Sequence, residues 1–87
     1  MTLSKEEMYL KTEEHVNQNI DREMIFVTIF VEGGCVDFKF TSKFRSEFLE
    51  SIKHIIMNMS PYKINVSSLQ DNNYKNIYIE KYTKDNY

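Results

Sequence analysis

A double glycine set inside an alternating run constrains this chain more than any other feature. Residues Met24 to Thr41 read MIFVTIFVEGGCVDFKFT, and Gly33-Gly34 supplies the two positive-φ positions that a tight type I′ hairpin turn requires. A two-residue loop at that point fixes the register. It pairs Glu32 with Cys35, Val31 with Val36, Ile29 with Phe38 and Val27 with Phe40, so that one face is wholly apolar. The other face sets Phe26, Thr28 and Phe30 against Thr41, Lys39 and Asp37, which is a mixed surface.

A helix is predicted on each side of this hairpin. The first runs from about Leu3 to Ile20, with Ser4 as N-cap and Glu6 and Glu7 in the first turn, where the helix dipole favours acids. Its apolar stripe is thin: Tyr9, Leu10, Val16 and Ile20 share a side with Glu13 and Asn17. The second runs from about Lys43 to Met59, capped by Thr41 or Ser42 and stopped by Ser60-Pro61. Phe44, Phe48, Leu49, Ile52, Ile55, Ile56 and Met59 fill a continuous arc of it, the face needed to cover a sheet. Beyond it, Tyr62, Ile64 and Val66 and then Ile77 and Ile79 alternate around Asn72-Asn73, a second predicted turn. That turn pairs Val66 with Ile79 and Ser68 with Ile77.

Laid over itself at an offset of 39, the chain matches element by element. Leu10 falls on Leu49, His15 on His54, Asn19 on Asn58, Ile25 on Ile64 and Val27 on Val66, and Gly33-Gly34 falls on Asn72-Asn73. The pattern is two αββ units, about 4–42 and 43–82, within one domain of 87 residues. The expected fold is α+β: αββαββ order, a four-stranded antiparallel sheet with two helices packed on one face. The helices would cover Ile25, Val27, Ile29, Phe38, Phe40, Ile64, Val66, Ile77 and Ile79. The opposite face would be left bare, displaying Phe26, Thr28, Phe30, Lys39, Ser67, Leu69, Tyr74, Tyr78 and Tyr82.

Charge narrows the function classes. The net charge is −2, so there is no global basic field for nucleic acid. Residues 4–23 hold six acids (Glu6, Glu7, Glu13, Glu14, Asp21, Glu23) against Lys5, Lys11 and Arg22, a net −3 that leaves +1 for the remainder. The start, MTLSKEEMYLKTEE, lacks the apolar run of a signal peptide, and no stretch reaches membrane-spanning length. With a single cysteine, these features lead us to expect a cytoplasmic protein. The absence of alanine and the wealth of Asn, Lys, Ile, Tyr and Phe match AT-rich codons, as in a low-GC bacterium, its phages or its plasmids.

No catalytic, cofactor-binding or metal-binding set emerges. Gly-rich phosphate loops, Ser-His-Asp arrangements and paired carboxylates are missing from the pattern. Cys35 has acidic neighbours in Glu32 and Asp37, the opposite of the electropositive setting a reactive thiol needs. His15, His54 and Cys35 lie on separate elements and do not form a metal-ligand spacing; both histidines are expected at the surface. Glu13 falls on Ile52 of the second unit, so either the first helix docks with Glu13 at its margin or Glu13 lines a polar pocket or partner surface.

The expected function is protein binding without catalysis, as in a phage- or plasmid-encoded inhibitor of a host protein, possible targets including proteins that act on nucleic acid. Phe26, Phe30, Lys39, Tyr74, Tyr78 and Tyr82 on the bare sheet, and the acids Glu6, Glu7, Glu13 and Glu14, are the expected partner-binding residues. Two alternatives stand beside it. One is a sheet on which single-stranded nucleic acid stacks, with Lys39, Lys63, Lys75 and Lys81 for phosphates. The other is a structural homodimer.

Overall fold

The chain is organised as α1 (Lys5–Gln18), β1 (Met24–Val31), β2 (Gly34–Phe40), α2 (Arg45–Met59), β3 (Lys63–Gln70) and β4 (Asn73–Lys81). This is a computed structural model, and it describes residues 3–40 and 45–82. The four strands form one antiparallel sheet in the order β2-β1-β3-β4, so each hairpin contributes one central and one edge strand. Both helices pack on the same side of it, α1 over β3 and β4, α2 over β1 and β2. Each helix therefore lies over the hairpin of the other unit.

Ser4 starts α1 through a reciprocal capping box. The Glu7 N–H donates to Ser4 Oγ and the Ser4 N–H donates to Glu7 Oε1, both at 3.1 Å. The buried side of α1 is Met8, Tyr9, Thr12 and Val16; Leu10, expected on that side, is 56% exposed. Thr12 is tolerated inside because its hydroxyl donates to the Met8 carbonyl at 2.9 Å. On α2 the expected arc holds for Phe48, Leu49, Ile52 and Ile56, which are buried, and for half-buried Ile55, but Met59 at the last turn is 44% exposed; Thr41, Ser42 and Phe44 lie outside the described residues. Ser60, at φ 42°, and Pro61 end it. The Lys5 ammonium donates to the Met57 carbonyl at 3.3 Å, tying the start of α1 to the end of α2.

Both turns sit one residue earlier than their sequences suggest. In the first, Glu32-Gly33 is the loop and Val31 pairs with Gly34; Gly33, at φ 91°, lies well inside the region that favours glycine, and Gly34, at φ 159°, lies at its margin. Val27 consequently faces Phe38 and Ile25 faces Phe40, a slip of two residues that leaves the same side chains on the same face. In the second, Asp71 and Asn72 take φ of 50° and 65°, and Gln70 pairs with Asn73. Glu23 holds that turn in place: its carboxylate accepts the Asp71 N–H at 3.0 Å and its own N–H donates to Gln70 Oε1 at 2.9 Å.

The expected register of the second hairpin fails further along, for a different reason. A bulge between Val66 and Ser67 leaves Ile77 without a partner, so Ser67 pairs with Asn76 but Val66 pairs with Tyr78. An odd slip inverts the faces of everything beyond it. Ile79, expected in the core, pairs with Asn65 on the bare side and is 47% exposed.

The two units match in detail. Adding 39 to the bounds of β1 gives those of β3, and Val27 faces its own counterpart Val66. Ile25 and Ile29 face Ser68 and Ile64, the counterparts of Ile29 and Ile25, so exchanging the units leaves the register unchanged. Side-chain bonds repeat as well. Thr12 to Met8 O and Ser51 to Glu47 O are both 2.9 Å, and Asn19 to His15 O and Asn58 to His54 O are both 2.8 Å.

Because each helix covers the other hairpin, a chain cut to residues 1–42 or to 43–87 is expected to show no cooperative unfolding by circular dichroism. Ile52→Ala, at a fully buried position, should cost about 3 kcal/mol in a denaturant melt, whereas Tyr74→Ser, at a 64% exposed one, should stay within about 0.5 kcal/mol.

Candidate functional site

The surface to explain is the side of the sheet that neither helix covers. Across β2, β1, β3 and β4 its rows read Cys35, Phe30, Lys63, Lys81; then Asp37, Thr28, Asn65, Ile79; then Lys39, Phe26, Ser67, Asn76; and last Met24, Leu69, Tyr74. Alternation on β1 puts Phe26, Thr28 and Phe30 here because Ile25, Val27, Ile29 and Val31 are taken by the core.

Two aromatic pairs stand on this face. Phe26 and Tyr74 have ring centroids 6.3 Å apart, and Phe30 and Tyr62 6.2 Å apart, both tilted. Tyr62 precedes β3, where its N–H donates to the Phe30 carbonyl at 2.9 Å, and it is 45% exposed. The alternation had grouped it with the core residues Ile64 and Val66; the turn through Ser60 and Pro61 releases it from that pattern. Lys63 Nζ lies 4.9 Å from the centre of the Phe30 ring. With Lys39 and Lys81 exposed and Asp37 the one acid in these rows, the face is cationic.

Tyr78 and Tyr82 do not belong to it. The β4 bulge turns Tyr78 toward the helices, where its ring stacks on His15 at 4.1 Å and 17°, and Tyr82 is 6% exposed within the core. His15 is accordingly half-buried rather than a surface residue, while His54 is exposed. Of the expected contact residues on the sheet, the structure groups Phe26, Phe30, Lys39 and Tyr74.

The four acids are on the far side, along α1. Glu6 and Glu14 are exposed, whereas Glu7 is engaged in the cap and Glu13, half-buried at the helix margin, accepts the Tyr9 hydroxyl at 2.9 Å. Cys35 is exposed on edge strand β2. Among the described residues no cluster of three or more His, Cys, Asp or Glu is placed to hold a metal ion, and no helix is long and apolar enough to cross a membrane.

Burial, chiefly, with Glu13 and Glu50 nearby, pushes the Tyr9 hydroxyl up to about 12. Burial also leads for Tyr78, pushed up to about 12 with Glu80 and Glu14 adding and Tyr82 opposing. A folded-state value above the unfolded one means the folded chain holds the extra protons between about pH 10 and 12. Stability is then intact below pH 10 and falls as pH rises through 12. Thermal melts across that range should show the fall, and Tyr9→Phe and Tyr78→Phe should each remove a late step from the phenolate absorbance titration.

No family model matches this chain, and comparisons with curated proteins and with solved structures find none similar to it.

Proposed function

We propose that this chain is a small non-enzymatic protein-binding domain whose partner seats on the bare face of the sheet. The observation that carries the reading is the pairing of Phe26 with Tyr74 and of Phe30 with Tyr62 on a surface that no described element covers. Phe26 and Phe30 are separated by roughly 13 Å along β1 at about 3.3 Å per residue. They therefore serve as two anchors, with Lys39, Lys81 and Asp37 as a polar rim. Strand spacing gives the face an area of roughly 500 Å². A stable complex buries about 800 Å² per partner, so a bound protein would also reach the sheet edges.

The role we infer is that of a phage- or plasmid-encoded inhibitor of a host protein, the exposed acids Glu6 and Glu14 on α1 meeting a basic part of the target. Glu6→Lys with Glu14→Lys is the informative reversal, because Glu7 and Glu13 also serve the fold. In affinity capture from a low-GC bacterial lysate, Phe26→Ser with Phe30→Ser should abolish retention of a partner that the wild-type chain retains, with the circular dichroism spectrum unchanged. Retention by that variant would refute the assignment.

A second reading is favoured by one observation: Lys63 beside Phe30, with Lys39 and Lys81, places cations next to rings as single-stranded nucleic acid requires. Titration with oligonucleotides separates the two. Protein binding predicts no association at low salt; binding that weakens with a slope of about −0.7 per phosphate contact would transfer the face to nucleic acid. A concentration-dependent sedimentation coefficient would point instead to a homodimer.

A further inference from the structure

The helix side of the sheet has two crevices related by the same offset of 39, and among the described residues only one of them is filled. Between α1 and β4, the Tyr78 ring lies parallel to His15 at 4.1 Å; Thr12 and Val16 beside it have no solvent exposure, and Ile77 packs against the core. Their counterparts between α2 and β2 are Ser51, His54, Ile55 and Phe38. There Ser51 and His54 are exposed and Ile55 and Phe38 half-buried, around an open cavity of about 480 Å³ that Val36 and Glu50 also line.

The cause is the bulge. It turns Tyr78 toward α1, whereas β2 pairs without interruption, so the counterpart of Tyr78 is Lys39, which points to the bare face. A histidine therefore stands over an apolar floor on α2 and β2 with no described ring against it. Phe48 keeps that floor in place, meeting Phe38 edge-on at 6.1 Å and Phe40 in a stack at 4.9 Å.

We propose that the α2–β2 crevice is a docking pocket for a tyrosine side chain of a protein partner, which stacks on His54 as Tyr78 stacks on His15. The filled crevice supplies the template for the occupant: an aromatic ring on the imidazole, its edge on aliphatic side chains, its hydroxyl near a carboxylate. Tyr78 donates to Glu80 at 3.3 Å, and at the open crevice a carboxylate is offered from the helix side instead, by Glu50. A tyrosine is also the residue that brings most contact area at least entropic cost to such a pocket. The pocket lies on the opposite layer from the bare face, so it stands independently of the assignment made for that face.

N-acetyl-tyrosinamide and 4-methylphenol are the probes, titrated into the intact chain and followed by nuclear magnetic resonance. The expected result is saturable ring-current shifts confined to His54, Ile55, Val36 and Phe38. His54→Ala should weaken binding about fivefold, the loss of one ring stack, and His54→Phe should restore it. His54 is exposed, so neither variant should disturb the fold. Equal binding of N-acetyl-leucinamide would overturn the proposal. So would shifts centred on Phe26 and Tyr74, an unaltered affinity in His54→Ala, or no saturable shift with either probe.

Discussion

Val27 and Val66 meet at the middle of the sheet with no solvent exposure, and the position of every other element follows from that contact. Either hairpin alone is a two-stranded ribbon with one oily side, which is marginal in water. Joining β1 to β3 makes a four-stranded surface wide enough for two helices, and each helix then covers strands that the other unit contributes. The pairing closes a span of 39 residues, and the entropy of that closure is recovered only when the core residues of both units are buried together. Folding of the halves is coupled for this reason, although their sequences read as separate copies.

The one-residue bulge in β4 has larger consequences than its size suggests. Because successive side chains of a strand point to opposite faces, a slip of two conserves the faces and a slip of one exchanges them. The first hairpin slips by two relative to its apparent register, and Phe38 and Phe40 still reach Phe48. In the second, Ile77 drops out of the ladder, and Tyr78 and Tyr82 go to the core side while Ile79 comes out. The exchange brings a ring under α1: Tyr78 stacks on His15 and, with Ile77, packs against the core.

The strands, the strong helix and the repeat were legible because they rest on periodicity. Ile25, Val27 and Ile29, and the arc of Phe48, Ile52 and Ile56, have the spacing of buried residues and are buried. What periodicity cannot carry is a local choice between two adjacent turn sites. Asp71-Asn72 and Asn72-Asn73 are equally able to adopt positive φ, and the choice is made by Glu23, nearly fifty residues away. The bulge is equally silent in the sequence, since alternation on β4 does not mark the residue at which the ladder slips. Two of the five expected sheet-face aromatics, Tyr78 and Tyr82, were misplaced by that single event, and Tyr62 was missed because it lies just before the strand whose alternation it seemed to share.

The aromatic residues of the bare face are not spread evenly over it. Thr28 separates Phe26 from Phe30 on β1, and Asp37 and Asn65 extend that polar row onto β2 and β3, with Ile79 at its β4 end. The two aromatic pairs are therefore islands, not one continuous apolar patch of the kind that drives indiscriminate association. Lys39 stands beside Phe26 on β2, whereas Lys63 and Lys81 continue the row of Phe30 on β3 and β4, so the cations occupy opposite corners of the face, with Asp37 the one acid between them. Charge and ring are therefore interleaved over the face, each aromatic of β1 having a lysine on a neighbouring strand, which follows from alternation on strands in fixed register and not from any one residue.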